Sequence, residues 1–386
     1  MKHTISIYVA VWTILLSACG TPNASPPSIS PTTTPPINQS ATVEYAATTT
    51  LEPINLSLSE PGPYHVGIKR YIAYVDPSRN ERKVTITIWY PAIQPQDETG
   101  NDPIVNAMPD LSNAPYPLIL SSSKIGGQSF GSHLTSYGFV YVGINGQDSS
   151  DLWGQWLIDY PLDIVFALNQ IAANPPEGFA DLIDSEHAGT MGYSFDGYTS
   201  LALSGARVDP EFYLSQCSNA AAMNPAPPKW WIGYICHPTS KWDELVSNAG
   251  STMTNTSDGL WQAMTDDRIR AVMPMAPEGA WLFGERGLAA VDRPVLIIGA
   301  TSDAINIYRL EAAYIFEHIG ASDRTMISFV GKGHSMIYDA DSVAYMKHLA
   351  TAFFGYYLQR QNDYSKYFSE DFVAQHENLA WGVYTK

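Results

Sequence analysis

Three side chains in this sequence have the types and the order needed for nucleophilic catalysis: Ser194, Asp303 and His334. A serine hydroxyl becomes a good nucleophile only when a neighbouring histidine accepts its proton, and that histidine needs a carboxylate to orient its ring. Serine first, then aspartate, then histidine is one of the chain orders in which such triads occur. We therefore predict a triad for acyl transfer.

The serine lies at a predicted corner of the chain. Residues 187–191 are typical of a strand and residues 198–205 of a helix, and between them stands Gly192-Tyr193-Ser194-Phe195-Asp196-Gly197. A serine flanked by glycines at such a corner indicates a nucleophile elbow, a strained turn that projects the hydroxyl from the edge of the sheet. Bulky residues two positions before or after the serine would clash, so Asp196 departs from the pattern.

The other two members of the triad follow predicted strands. Residues 294–299 form an apolar strand before Asp303, and residues 324–330 form a strand before His334. Because the carboxyl ends of parallel strands meet at one edge of a sheet, the two loops are expected to lie together. Two alternatives stay open: Asp303 is instead the N-cap of a helix, and His334 is a loop histidine without a catalytic role. The histidines that lie where this pattern places no base are His133, His187, His237 and His348.

Acyl transfer also needs hydrogen-bond donors for the negative oxygen that forms on the substrate. One donor is predicted to be the backbone N–H of Phe195, directly after the nucleophile. The second is expected in the loop after the strand at 117–121, where we nominate the backbone N–H of Ile125. Together these two groups would form the oxyanion hole.

The order of elements predicts the fold that must hold these loops. Strands that alternate with helices favour an α/β fold with a mostly parallel central sheet and helices on both faces. An antiparallel hairpin at 64–75 and 83–90 is expected to come first. The helices that the sequence predicts most clearly are at 159–173, with Pro161 in its first turn, at 306–319 and at 340–359.

Residues 206–267 do not fit this alternation and are too long for a structureless connection, so we predict an inserted cap or lid. The alternative is a surface excursion unrelated to the site. Cys217 and Cys236 lie in this segment, and in an exported chain we predict that they form a disulfide that holds the cap over Ser194; two buried free thiols are the alternative. The segment also contains Trp230, Trp231, Trp242 and Trp261.

The N-terminus predicts export. Residues 1–18 have a basic start and a short apolar run, which is typical of a signal peptide, and the following Cys19 resembles the lipidated cysteine of a bacterial lipoprotein. Residues 19–61 are rich in Pro, Thr and Ser and are predicted to be a disordered tether before a domain at 62–386. We expect an extracytoplasmic protein of the cell envelope, held at the membrane by its lipid. An ordinary signal peptide cut near Ala18 is the alternative.

Charge and composition exclude one class of partner. The formal net charge is −17, so the phosphate backbone of a nucleic acid would be repelled. The hydrophobic fraction of 45% is enough for a sizeable core.

From about Gly62 to Leu358 the chain resembles the α/β-hydrolase branch that holds platelet-activating-factor acetylhydrolases, dienelactone-hydrolase-like proteins and cutinase-like polyester hydrolases. The segments that carry the likeness are Gly62-Pro63-Tyr64-His65-Val66-Gly67, Trp89-Tyr90-Pro91-Ala92, the elbow, Asp267-Arg268-Ile269-Arg270-Ala271-Val272, Ala280-Trp281-Leu282-Phe283, and the loops of Asp303 and His334. The chain departs from the family at Ser123-Lys124, where His-Gly is usual, and at Asp196, where Gly is usual.

The resemblance implies hydrolysis of carboxylic esters by the Ser194, Asp303 and His334 triad through an acyl-serine intermediate, without a metal or another cofactor. It also implies that Trp281 and Leu282 line the acyl pocket, and we predict a further substrate contact at Tyr193. The expected substrate is an ester of a small molecule, a lipid or a polymer. A peptidase or an acyltransferase on the same triad, and a surface lipoprotein that binds a ligand after losing catalysis, are the alternatives.

Overall fold

A mixed sheet of ten strands organises the chain in the computed structural model, which describes residues 55–95, 100, 102–122, 127–146 and 155–385. The strands are β1 (His65–Asp76), β2 (Arg82–Ala92), β3 (Ile104–Val105), β4 (Tyr116–Ser122), β5 (Val140–Gly146), β6 (Ile183–Tyr193), β7 (Ile269–Met275), β8 (Val295–Ala300), β9 (Arg324–Phe329) and β10 (Leu379–Trp381). The helices are α1 (Gly127–Ser136), α2 (Trp156–Ala173), α3 (Phe195–Leu203), α4 (Pro210–Asn219), α5 (Lys229–Ile235), α6 (Trp242–Ala249), α7 (Ser251–Thr254), α8 (Ala280–Leu288), α9 (Ala312–His318), α10 (Ala340–Gln359) and α11 (Glu370–Ala374).

The strands lie in the order β10-β9-β8-β7-β6-β4-β5-β2-β1-β3. The six central strands, from β9 to β5, are parallel to one another, whereas β10 pairs antiparallel with β9, and β2 pairs antiparallel with both β5 and β1. The short β3 pairs parallel with β1. The predicted α/β fold with a mostly parallel sheet and the predicted N-terminal hairpin are therefore confirmed. The arrangement is consistent with an α/β-hydrolase-like fold.

Both faces of the sheet are buried along its central strands, which contribute alternate side chains to two separate cores. On β4, Leu118 and Leu120 belong to one core, which includes Ile164 of α2, and Ile119 belongs to the other, which includes Phe353 of α10. Such strands read as continuous apolar runs, which is why the sequence predicts them as buried parallel strands.

Helix α2 begins at Trp156, earlier than the predicted residue 159, so Pro161 lies inside the helix and not in its first turn. Proline has no backbone N–H and cannot donate to the carbonyl four residues earlier, which is that of Leu157. The hydroxyl of Tyr198, in α3, donates to this carbonyl at 2.8 Å. A long-range side-chain bond thus satisfies the acceptor, and the helix continues through the proline.

The helix predicted at 306–319 is shorter in the structure, where α9 spans only Ala312–His318. Side chains before it bond to distant parts of the fold: Asn306 Nδ2 donates to the Ala276 carbonyl at 2.8 Å, and the hydroxyl of Tyr308 accepts from the backbone N–H of Tyr384 at 2.7 Å. These contacts hold the residues from 304 to 311 as consecutive turns. Helix periodicity in the sequence does not reveal them.

Residues 206–267, between α3 and β7, contain the helices α4, α5, α6 and α7, and we call this segment the insertion. The predicted Cys217–Cys236 disulfide is present, with the two Cα atoms 5.5 Å apart. Trp231 is fully buried and its ring meets that of Trp281 in α8 edge-on, with centroids 4.9 Å apart. The insertion therefore packs against α8, while Trp230 is exposed.

The packed chain starts earlier than the predicted boundary at residue 62. Leu58 is buried, and its backbone N–H donates to His348 Nδ1 of α10 at 3.1 Å. Residues 55–61, assigned to the tether from their composition, thus belong to the same compact unit as the rest of the described chain. Within the described ranges, no helix combines the length and apolarity that crossing a membrane requires.

Candidate active site

Ser194 lies at the corner between β6 and α3 with a φ of 60° and a ψ of −121°. A positive φ is costly for a residue with a side chain, so the surrounding bonds must hold it. The backbone N–H of Ser194 donates to the Met275 carbonyl of β7 at 2.9 Å, and its carbonyl accepts from the Gly197 N–H at 2.8 Å. The turn has the geometry of the predicted nucleophile elbow.

The elbow requires glycine at position 192. A Cβ added to Gly192 would lie 2.1 Å from the Asp196 carbonyl oxygen and 2.8 Å from the Asp196 Cβ. The absence of a side chain at Gly192 thus gives the space in which Asp196 fits, although Asp196 is not small. Asp196 is buried, so the chain accommodates a carboxyl group beside the serine without opening the turn.

The three predicted triad residues meet in space. His334 Nε2 lies 2.9 Å from Ser194 Oγ, and His334 Nδ1 lies 2.7 Å from Asp303 Oδ2. An ionised carboxylate only accepts hydrogen bonds, so the proton is assigned to Nδ1 and Nε2 is left to accept from the serine hydroxyl. The geometry is that of a nucleophile, a base and an orienting group.

Asp303 divides its two oxygens between two tasks. Its Oδ1 accepts from the backbone N–H groups of Ile305 at 2.8 Å and Asn306 at 2.9 Å, as an N-cap aspartate does, while Oδ2 holds His334. The predicted alternative, a helix N-cap, matches only the bonding pattern of Oδ1, because turns follow Asp303 and α9 begins at Ala312. These bonds fix the carboxylate so that it can hold the imidazole ring in one orientation.

Tyr193, the predicted substrate contact, lies against the loop that carries His334. It is buried, its hydroxyl donates to the His334 carbonyl at 2.5 Å, and its ring centroid lies 5.5 Å from that of the imidazole. A side chain in this position supports the loop that carries His334. The residue before the nucleophile is still part of β6, with its side chain in the core around α10.

Trp281 and Leu282, predicted to line an acyl pocket, lie in the first turn of α8 and are both buried. Trp281 packs on Trp231 of the insertion, and the Leu282 carbonyl accepts from the backbone N–H of Asp209 at 2.9 Å. In this structure they join α8 to the insertion.

Of the two predicted oxyanion donors, Phe195 is the first residue of α3, directly beside Ser194. Its N–H therefore belongs to a helix N-terminus, where the helix dipole favours negative charge. Its ring packs near Trp156 and Tyr160 of α2. The other donor, Ile125, lies outside the described residues, as do the departures at Ser123 and Lys124 and the predicted lipidation site Cys19.

Three polar residues near the triad were not predicted: Asn306, Glu278 and Glu311. Glu278 and Glu311 are fully buried, and burial raises the pKa of Glu278 to about 8 and that of Glu311 well above its ordinary value. The charges of Asp196 and Asp303 also raise the pKa of Glu278. The sequence holds no signal for this cluster, since it forms only when the loops after β7 and β8 meet.

Each buried glutamate has a structural partner. The hydroxyl of Tyr234, in α5 of the insertion, lies 3.2 and 3.3 Å from the two carboxyl oxygens of Glu278. Glu311 Oε2 accepts from the backbone N–H of Ala280 at 2.9 Å, at the start of α8. Glu278 thus ties the insertion to the end of β7, beside the elbow.

Among the described residues, no group of three or more His, Cys, Asp or Glu side chains is arranged to hold a metal ion. The chemistry available from the observed groups is that of a serine nucleophile with a histidine base. No protein-family model matches the chain, and a search of curated proteins finds no match to it.

Proposed function

We propose that the protein is a carboxylic ester hydrolase of the α/β-hydrolase branch that it resembles. The observation that carries the proposal is the continuous chain of contacts from Ser194 Oγ to His334 Nε2, at 2.9 Å, and from His334 Nδ1 to Asp303 Oδ2, at 2.7 Å. The serine is partly exposed at a strained elbow, where an ester carbonyl can reach it.

In the proposed reaction, Ser194 Oγ attacks the ester carbonyl as His334 Nε2 takes the hydroxyl proton. The carbonyl electrons move onto oxygen, where the N–H of Phe195 and that of Ile125 stabilise the charge. The tetrahedral intermediate collapses, and the leaving alkoxide takes the proton from His334. Water then attacks the acyl-serine while His334 takes its proton. The bond from Ser194 Oγ to the acyl carbon breaks, His334 returns the proton to Oγ, and the acid leaves. Asp303 stabilises the imidazolium that forms in both halves.

The substrate class is tested with chromogenic substrates. Purified protein is expected to hydrolyse p-nitrophenyl esters and to leave peptide p-nitroanilides intact, because p-nitrophenolate is a better leaving group than the p-nitroanilide anion. Peptide turnover at a comparable kcat/KM would replace the esterase with a peptidase. Acyl transfer to an added alcohol in preference to water would indicate an acyltransferase. If none of these reactions occurs, the alternative is a ligand-binding lipoprotein, an alternative that the buried Asp196 beside Ser194 favours.

We further propose that the protein is exported and tethered to a membrane by a lipid on Cys19, with residues 20–54 as the spacer. Mass spectrometry of membrane-extracted protein would then find an N-terminus that begins at acylated Cys19. A mature chain that begins elsewhere and occurs only in the soluble fraction would contradict this proposal.

A further inference from the structure

The side-chain amide of Asn306 lies against the nucleophile. Its Nδ2 donates to the Ala276 carbonyl at 2.8 Å and is 3.5 Å from Ser194 Oγ, and the side chain is buried. Its backbone N–H donates to Asp303 Oδ1 at 2.9 Å. One residue thus contacts two members of the triad and the end of β7.

The orientation of this amide follows from its partners. A backbone carbonyl only accepts, so the amide atom that faces the Ala276 oxygen must be the nitrogen. A primary amide has two N–H bonds. One N–H donates to the Ala276 carbonyl, and the other remains available to Ser194 Oγ. Asn306 Oδ1 is buried and has no hydrogen-bond partner within the described part of the chain.

We infer that Asn306 is a fourth catalytic residue, which donates a hydrogen bond to Ser194 Oγ while charge develops there. The inference depends on the proposed ester hydrolysis. When the hydroxyl proton moves to His334 Nε2 and the bond from Oγ to the carbonyl carbon forms, Oγ carries partial negative charge. When the acyl-enzyme breaks down, the same bond breaks, its electron pair returns to Oγ, and His334 returns the proton. An N–H aimed at Oγ stabilises both transition states.

The length of the contact agrees with this role. At 3.5 Å, the hydrogen bond from Asn306 Nδ2 to the neutral Ser194 hydroxyl is weak, so it stabilises the ground state little. Hydrogen bonds to an ionised acceptor are shorter and about twice as strong. The contact therefore tightens as Oγ becomes anionic, and an interaction that is stronger in the transition state than in the ground state raises kcat rather than lowering KM.

The test measures how fast Ser194 reacts with a fluorophosphonate, since this reagent needs the nucleophile but no ester-binding pocket. In Asn306→Ala both N–H donors are lost. We expect the second-order rate of labelling to fall at least about tenfold, and kcat for a p-nitrophenyl ester to fall by a similar factor with KM little changed. Asn306→Ser keeps one hydroxyl donor for the Ala276 carbonyl and is the second variant if the alanine protein does not fold.

Tyr308→Phe is the matched structural control. It removes hydroxyl bonds to Ser328 Oγ and to the Tyr384 N–H in the same loop but does not touch the triad. We expect a lower melting temperature with a labelling rate within about twofold of wild type. If both Asn306 variants label as fast as wild type, or lose rate only as much as Tyr308→Phe does, the inference is wrong. If wild-type protein is not labelled at all, the proposed function itself fails.

Discussion

Ser194 and His334 are 140 positions apart in the chain, yet Ser194 Oγ and His334 Nε2 are 2.9 Å apart. The sheet explains this proximity, because Ser194 follows β6 and His334 follows β9, and only β7 and β8 lie between these parallel strands. Their carboxyl ends share one edge. Asp303 follows β8 at the same edge, and its Oδ2 contacts His334 Nδ1, the ring nitrogen that does not face Ser194.

Asp303→Asn should reduce turnover of an ester by on the order of 10³- to 10⁴-fold, because an amide no longer fixes the tautomer of His334 or stabilises the imidazolium. KM should change little. Asp292→Asn, at a carboxylate that is 71% exposed, is the control and should leave both constants unchanged. Steady-state kinetics of the two variants check this. An Asp303→Asn protein with more than a tenth of wild-type kcat would show that this carboxylate does not orient the base.

Gly192→Ala should disrupt the elbow, since the added Cβ would meet the Asp196 carbonyl oxygen at 2.1 Å and the turn would have to shift. We expect a destabilisation of about 1–3 kcal/mol and a large loss of ester hydrolysis. Gly233→Ala is the matched control, because nothing lies within 4 Å of its added Cβ and it stands inside α5. It should be neutral or stabilise the protein by up to about 1 kcal/mol. Thermal unfolding and an esterase assay measure both; equal behaviour of the two variants would contradict the packing described.

The buried Glu278 predicts a pH-dependent stability. Its pKa is about 8 in the folded protein, against an ordinary 4.5, so between these values the folded state keeps a proton that the unfolded chain releases. This contribution to stability is complete below about pH 4.5 and is lost as the pH rises to about 8. Glu278→Gln stays neutral and can still accept from Tyr234. It should therefore become more stable relative to wild type as the pH rises, by a few kcal/mol at most.

Melting temperatures of wild type and Glu278→Gln across this pH range provide the test. Glu211→Gln, at a side chain that is 90% exposed, controls for the loss of one carboxylate at the surface. A constant difference between wild type and Glu278→Gln from pH 5 to pH 8 would mean that Glu278 does not hold its proton in the folded protein.

Reduction of the Cys217–Cys236 disulfide should loosen the insertion. The bond joins residues 19 positions apart, and closing a loop of this size stabilises the fold by roughly 3 kcal/mol on the chain-entropy model. Helix α5, which ends beside Cys236, carries Trp231 and Tyr234, whose contacts hold the insertion on α8 and Glu278. We therefore expect activity on bulky esters to change at a lower reductant concentration than global unfolding requires.

The matched control is the Cys217→Ser, Cys236→Ser double variant, which should melt at a lower temperature than wild type and be insensitive to reductant. If reductant alters neither the activity nor the melting temperature of wild-type protein, the disulfide does not hold the insertion in place.

The sequence predicts the strands, the hairpin and the meeting of the three triad loops, because each has a local signal: apolar runs, turn residues and glycines around Ser194. It does not predict contacts that depend on distant partners. Sequence periodicity predicts a helix that begins at Asn306, but in the structure the bond from its side chain to the Ala276 carbonyl holds this residue in a turn. Tyr193 is next to the nucleophile by position, but β6 directs its side chain into the core. The contact between Glu278 and Tyr234 joins residues 44 positions apart, and no local signal in the sequence indicates it.

The most direct test of the proposed triad is intact-protein mass spectrometry after treatment with a fluorophosphonate. We predict that wild-type protein gains the mass of one phosphonyl group and that peptide mapping finds it on Ser194. Ser194→Ala, with an unchanged melting temperature, should gain none and lose ester hydrolysis by several orders of magnitude. A wild-type protein that stays unlabelled, or a Ser194→Ala protein that keeps more than a tenth of the activity, would contradict the proposed triad.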